Sequence, residues 1–500
     1  MSILKVDSSI HDKRIKASDL ARRSSDDFCE TYGHSPLESI APFQRGEIIL
    51  GRRVGAGSFS SVYDIQDYNL SAKQSDKYTD EHEQAKKREA TAKSVMHGTK
   101  YVMKCLKDEL EHSEDEDLFI EAAQDIAHEA EMLAAVSHPN IVKLHGVIAN
   151  RHDAFLDGAS SFFIILERLE STLSDKIEVW TKEKNSFNPK RSLKSLSSSF
   201  TTGISGHSSS GALDKLEKDL GAEGDDAGSL DNRIRTASFL AGAVEYLHSQ
   251  RIIFHDLKPD NVGFDMLGNL KLFDFGLARF MPEYGGAYAD LYEMNGAGTP
   301  RFSAPEVFFD KPYNLKADVY SFGVVLWEIM CLKKPFAKCK HRKEFEKALK
   351  RVDKVLAINR KWPRSIQDSI RRSLSGDHAE RPTMREVCNV LNDCVLGLED
   401  SEFENTDTTS TLTRSKRFVL PSRLSSKGVI RKFGLSLTSA VSATPIQNDH
   451  TYRRHLSETS GTGSTIGTFE DFLFQESEKK EQEQEQEQSL HSLQEEILEV

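Results

Sequence analysis

Asp256, Lys258 and Asn261 fall together in the run Phe254-His255-Asp256-Leu257-Lys258-Pro259-Asp260-Asn261, and Asp274-Phe275-Gly276 begins thirteen residues after Asn261. No other stretch constrains the chain as tightly. A carboxylate at Asp256 can orient a hydroxyl and accept its proton, and Asn261 and Asp274 offer oxygen atoms of the kind that ligate Mg2+ bridging phosphates. Moving a metaphosphate-like group asks a protein mainly for positioning and neutralised charge. An acid, a cation and two oxygen ligands at fixed spacing supply both. A loop of capped turns with incidental carboxylates would carry no further landmarks in fixed order, so the remaining sequence decides between the two readings.

Those landmarks are present. Ile48-Ile49-Leu50-Gly51 and Val62-Tyr63-Asp64-Ile65 read as short strands flanking the glycine turn Gly55-Ala56-Gly57-Ser58-Phe59-Ser60, and Lys100 to Leu106 reads as a third strand bearing Lys104. Apolar residues Phe119, Ile120, Ile126, Met132 and Leu133 recur at helical spacing between Leu118 and Val136, after the acidic run Glu114 to Asp117, which suits a helix amino terminus. Phe162 to Leu166 reads as a buried strand, Ile234 to His248 as a helix, and Lys316 to Ile329 as a thoroughly apolar helix.

With these residues in this order the chain resembles the eukaryotic protein kinases, whose pattern H-R-D-L-x-x-x-N followed by D-F-G is matched except at Phe254 and His255. The resemblance covers residues 46–396, about seven-tenths of the chain. It implies an α+β, two-lobed protein kinase fold, a small β-rich N-lobe and a larger helical C-lobe with ATP and Mg2+ between them. Lys258, two residues past Asp256, and Thr299 follow the serine/threonine pattern rather than the tyrosine one, and the run 316–329 most resembles the tyrosine-kinase-like group. The implied reaction is transfer of the γ-phosphate of ATP to serine or threonine hydroxyls of protein substrates.

Residue by residue, the resemblance makes Asp256 the base and Lys258 the cation beside the transferring group, with Asn261 and Asp274 as metal ligands. Gly55, Gly57 and Ser60, the last in place of a third glycine, would cover the phosphates, and Lys104 would contact them. Of two candidate partners for Lys104, Glu129 lies ten residues before Pro139, the family spacing, whereas Glu131 would turn the wrong helix face inward. Val62, Val102, Leu166, Glu167 and Leu169 would line the adenine site, with Val102 where alanine is usual and Gly263 where a leucine-like residue is usual, adding bulk above and removing it below. Leu133, Leu144, Phe254 and Phe275 would stack as an apolar column based on Asp318, and Glu306 would pair with Arg381. The changes at Ser60, Val102, Phe254, His255 and Gly263 also leave open a pseudokinase scaffold with weak or no catalysis.

Composition sets the context. Hydrophobic residues make up only 38% and the net charge is −12, which argues against general nucleic-acid binding. No apolar run of about 18 residues and no secretory layout is present, so an intracellular, chiefly cytoplasmic protein without a membrane span is expected, the nucleus remaining open. Six dispersed cysteines indicate neither a zinc site nor a disulfide framework. Residues 1–45 read as a disordered leader, 66–99 and 178–229 as polar insertions, the first a solvated excursion with helical character, and 397–500 as a mostly disordered tail, basic and then acidic and Glu/Gln-rich. Inserts and tails are the expected seats of regulatory partners. Arg22-Arg23-Ser24-Ser25, Lys190-Arg191-Ser192 and Arg453-Arg454-His455-Leu456-Ser457 place hydroxyls beside basic residues and read as phosphorylation sites in mobile chain. The segment from Leu277 to Gly298 contains no serine or threonine, only Tyr284, Tyr288 and Tyr292, and His255 stands where an arginine would capture a segment phosphate. Activity independent of activation-segment phosphorylation is therefore expected.

Overall fold

A computed structural model of the chain describes residues 8–70, 79–113, 115–186, 228–281, 288, 290–292, 294 and 298–405. The chain divides into two units, residues 1–399 and 400–500, and what is described of the second is the end of a helix, 400–405.

Strands Pro42–Phe43 (β1), Ile48–Ala56 (β2), Ser60–Tyr68 (β3), Tyr101–Leu106 (β4), Leu144–Ile148 (β5) and Phe163–Glu167 (β6) form one sheet in the order β1-β5-β6-β4-β3-β2. All pairings are antiparallel except β1 with β5. The pleat sorts side chains by alternation: Val102 and Leu106 face the main core, while Met103 and Cys105 join Phe43, Ile48, Phe163 and Ile165 in a second core on the other face. Lys104 shares the face of Val102, which directs it toward the helix Glu116–Ala135.

Three helices accompany this sheet: α1 (Ser8–Tyr32), α2 (Thr79–Met96) and α3 (Glu116–Ala135). Asp115 caps α3 by accepting from the Asp117 N–H at 3.1 Å. The second lobe is helical: α4 (Leu173–Ser186), α5 (Leu230–Ser249), α6 (Lys316–Cys331), α7 (Arg342–Leu349), α8 (Arg364–Ser373) and α9 (Met384–Asn405). Helix α6 is buried from Lys316 through Met330, so it has no polar face to give to solvent and serves as the lobe's axis. Short strands Ser171–Thr172 (β7), Ile252–Ile253 (β8), Val262–Phe264 (β9), Leu270–Leu272 (β10) and Arg279–Phe280 (β11) carry the loops between the lobes, in the sheets β10-β9-β7 and β11-β8. This is the expected α+β architecture, a β-sheet lobe joined to a helical one.

Three expectations change. The leader is not disordered between Ser8 and Tyr32, where α1 buries Ala17, Ala21 and Phe28, and Ser24 and Ser25 are buried within it rather than exposed in mobile chain. The first insertion is not a solvated excursion: α2 packs Ala92 and Val95 on the second core, its Arg88 pairs with Glu47, and its Ser94 hydroxyl meets that of Tyr101 at 2.7 Å. The second insertion begins later than expected, since α4 continues to Ser186; residues 187–227, with Ser192, and 406–500, with Ser457, lie outside the described residues.

Candidate active site

Two clusters of charged side chains assemble from distant parts of the chain. In the first, Lys104 on β4 points its ammonium at Glu129 of α3 (2.7 Å to Oε2) and at Asp274 (2.8 Å to Oδ1). Burial alone would lower the lysine's pKa, but Asp274 and Glu129 outweigh it and hold it above the ordinary value, so the ammonium stays charged. Glu131, two residues on, faces away and accepts from the Ser35 hydroxyl at 2.9 Å. The helical period of about 100° per residue explains why only one of the two glutamates reaches Lys104.

The second cluster centres on Asp256. Its Oδ1 accepts from the Thr299 N–H (2.8 Å) and hydroxyl (2.7 Å), and its Oδ2 from Lys258 Nζ (2.9 Å) and Asn261 Nδ2 (2.9 Å). Lys258 also donates to the Thr299 hydroxyl at 2.8 Å. Burial would raise the pKa of Asp256, but Lys258, Thr299 and Asn261 more than offset it and hold the carboxyl below its ordinary range. A carboxylate kept ionised yet buried can orient a hydroxyl and take its proton as that bond breaks.

Backbone geometry sets these side chains. His255 has φ of 69°, inside a three-residue turn closed by Asp256 N–H on the Phe254 carbonyl at 2.9 Å. Such a conformation costs about 1–3 kcal/mol and needs outside support. Buried Asp318 at the start of α6 provides it, accepting from the N–H groups of Phe254 (2.7 Å) and His255 (2.9 Å) and from His248 Nε2 (3.0 Å). The imidazole of His255 is wedged between the Leu277 carbonyl (2.8 Å from Nδ1) and the Tyr313 hydroxyl (3.0 Å from Nε2). Burial lowers its pKa despite Asp318, so the ring is neutral, donating from Nδ1 to Leu277 and accepting from Tyr313. Gly298, with φ of +102°, passes so close to this turn that a Cβ would lie 2.6 Å from the His255 carbonyl oxygen.

Phe254 and Phe275 are both fully buried and meet edge to face, 5.1 Å between centroids at 77°, with Leu133 and Leu144 also buried in this core. A buried ring of this kind is worth about 1.5–3 kcal/mol, so phenylalanine at 254 contributes by packing on Phe275. Asp274 itself has φ of 68° and leaves its side chain 45% exposed to the space between the lobes. Both hydrogens of Asn261 Nδ2 are spent on the Asp256 carbonyl and carboxylate (2.9 Å each), so the amide oxygen is the atom that could ligate a metal. One carboxylate and one amide oxygen suit Mg2+ that keeps its other ligands from phosphates and water. No group of three or more His, Cys, Asp or Glu able to hold a metal occurs among the described residues.

At the glycine turn, Gly57 N–H bonds the Ser60 carbonyl at 2.8 Å, while Lys107 Nζ holds the Ser58 carbonyl at 2.9 Å, so the turn between β2 and β3 closes with serine at 60. Gly55 pairs with Val62, and Val102 with Leu166. Glu167 is tied by its side chain to Lys143 N–H (2.8 Å) and Lys271 Nζ (3.0 Å). The space vacated at Gly263 is not empty: a Cβ there would fall 2.5 Å from Leu169 Cδ1, so Leu169, in the connection between β6 and β7, supplies the bulk that Gly263 withholds. Below the loops, Arg381, almost fully buried, forms a fork with Glu306 (2.5 and 2.8 Å) and also donates to the carbonyls of Lys316 and Ser375. His248, Tyr313 and His128, which tie this framework together, are lone side chains with no spacing signal to announce them.

The family model for protein tyrosine and serine/threonine kinases matches residues 48–391. The chain therefore belongs to the protein kinase family. It is 36% identical over 143 residues to cAMP-dependent protein kinase type 3 of Saccharomyces cerevisiae, covering 28% of this chain and 32% of that one. It is 32% identical over 182 residues to the dual specificity protein kinase shkC of Dictyostelium discoideum, covering 35% and 34%. Over 152 residues it is 34% identical to a putative serine/threonine-protein kinase A of Trypanosoma brucei brucei, covering 30% and 33%. The matched stretches span about a third of each of these relatives.

Proposed function

We propose that the protein is an active serine/threonine kinase that uses Mg2+ and ATP and needs no phosphate on its activation segment. The observation that carries the first part is the interlocked set Asp256, Lys258 and Thr299, in which one hydroxyl bridges the base and the cation. ATP with Mg2+ supplies the phosphoryl group and an electrophilic clamp on its phosphates. Asn261 and Asp274 would hold the metal, Lys104 the α- and β-phosphates, and the Gly55 to Ser60 turn would close over them. Asp256 orients the acceptor hydroxyl and takes its proton, and Lys258 neutralises charge on the moving group. Phosphates would displace Asp274 from part of its contact with Lys104, leaving Glu129 to fix the ammonium.

The second part rests on His255. A buried, neutral imidazole hydrogen-bonded on both nitrogens offers no cation to a phosphate, yet it already anchors the segment at Leu277. Tyr288, one of the segment's three tyrosines, turns its hydroxyl inward to His248 at 2.9 Å. Protein substrates carrying serine or threonine follow from this reading, as do regulatory partners at the inserts and tail. The described residues include no helix long and apolar enough to cross a membrane. A phosphate-transfer assay with a peptide library tests the proposal: the wild type should label serine or threonine with Mg2+ and ATP, and Asp274→Asn should not. A folded wild type that binds ATP yet transfers nothing would point instead to a pseudokinase scaffold.

A further inference from the structure

Helix α1 lies against α3, the helix that carries Glu129. Its contact face is a stripe of short side chains at helical spacing, with Ala17, Ser18, Ala21, Ser24 and Ser25 all less than a tenth exposed, and such side chains let two helices approach closely. Polar contacts fix its register: Arg14 Nη2 meets Glu111 Oε2 at 2.6 Å, Lys13 Nζ donates to the Ser113 carbonyl at 3.1 Å, and Arg22 pairs with Asp153 at 3.2 Å.

The far end of α1 reaches the residues that flank Glu129. Phe28, 5% exposed, sets its ring against His128 (5.6 Å) and edge-on to Phe280 (5.7 Å). His128 in turn has Nε2 2.7 Å from the Ala278 carbonyl, and burial pushes its pKa down to about 4, so the neutral ring donates that hydrogen bond. Beyond the helix, Ser35 donates to the Glu131 carboxylate, which Ser25 also reaches from within α1. The residues immediately before and two after Glu129 are thus held by the amino-terminal segment, and the same phenylalanine touches the strand that follows Asp274-Phe275-Gly276.

We infer that α1 is a positioning element built into the chain: by gripping His128 and Glu131 it keeps Glu129 on Lys104, and through Phe28 on Phe280 it couples that helix to the start of the activation segment. Phe28 acts through other residues and touches no reacting atom. The inference deepens the kinase reading and rests on it. Detaching α1 would lower turnover without dismantling the helical lobe.

The test compares full-length wild type with Phe28→Ala, Phe28→Leu and, on the exposed face of α1, Arg23→Ala. Turnover is measured at saturating ATP and peptide, and hydrogen exchange is followed in α3, in residues 274–280 and in α6. Phe28→Ala is expected to lower kcat at least tenfold and to speed exchange in α3 and residues 274–280 while leaving α6 unchanged. Phe28→Leu, which restores apolar bulk, should recover most of the loss, and Arg23→Ala should match wild type. A Phe28→Ala protein that keeps kcat within twofold overturns the inference. So does one whose exchange quickens equally in α6, since Phe28 would then be ordinary core. Should wild type itself show no transfer, the kinase reading fails, and the exchange pattern alone decides whether α1 holds α3.

Discussion

Substituting Gly298 by alanine should disable catalysis while leaving most of the stability in place. The added Cβ would sit 2.6 Å from the His255 carbonyl oxygen, whereas ordinary contact begins at 3.4 Å, so the segment must retreat by about 0.8 Å. Thr299 is the next residue. Its bonds to Asp256, 2.8 and 2.7 Å, would lengthen to roughly 3.5 Å, beyond useful hydrogen bonding. Misplacement by about 1 Å at a reacting centre costs on the order of 100-fold, equivalent to about 2.7 kcal/mol of barrier. Folding stability loses about 1–2 kcal/mol for a left-handed L residue, plus whatever strain the contact adds. Gly268 is the control, because its φ is +80° but nothing lies within 4 Å of a Cβ there, so Gly268→Ala bears the backbone strain without the clash. Steady-state kinetics at saturating ATP, with thermal melts of both variants, separate the two effects. A Gly298→Ala enzyme within threefold of wild-type kcat would refute the proposed dependence on the contact between Thr299 and Asp256.

Three further outcomes follow from the site and its supports. Asp125 on α3 is pushed up to about 7 by burial, with Arg279 opposing and Glu121, Asp274 and Glu129 adding to the rise. Its folded pKa exceeds the unfolded value of 3.8, so its stabilising contribution is complete below that value and is lost as pH rises through about 7. Asp125→Asn should therefore gain melting temperature relative to wild type between pH 5 and pH 8, and an equal difference at both would contradict the assignment. Arg381→Met leaves Glu306, its side chain only 12% exposed, without its partner and should cost about 3–5 kcal/mol in denaturant unfolding, a loss under 1 kcal/mol counting against the fork as a structural link. Gly263→Leu would drive a side chain into Leu169 and should raise KM for ATP at least tenfold, with Leu169→Ala in the same chain recovering most of it; an unchanged KM would remove Leu169 from the nucleotide site.

Legibility in the sequence followed the kind of constraint involved. Asp256, Lys258, Asn261 and Asp274 stood out because their chemistry fixes residue type and spacing together, and Lys104 stood out because a strand and a glycine turn framed it. Helix α1 did not, since its buried face is mostly alanine and serine with Phe28 as its one large apolar contact and Lys13 buried beside them, while Ile15, a residue that would normally mark a core face, is 39% exposed. Helix α2 was obscured for a similar reason: its apolar contacts are Ala92 and Val95 amid lysine and glutamate. The expected loss of bulk at Gly263 was correct as composition and incomplete as geometry, because the compensating Leu169 comes from a strand connection ninety-four residues earlier. His255 could be read as the absence of an arginine. That its two nitrogens would join Leu277 to Tyr313 depended on tertiary contacts that no local pattern records.

The most direct test of the central claim starts from full-length protein stripped of phosphate, with mass spectrometry verifying bare Tyr284, Tyr288 and Tyr292. Initial rates of serine and threonine phosphorylation are then measured with Mg2+ and ATP against untreated enzyme and against the Asp256→Asn variant. Rates within threefold of untreated enzyme, abolished in the variant, are the predicted result. A hundredfold loss on dephosphorylation, transfer to tyrosine alone, or no transfer by either wild-type preparation would contradict it.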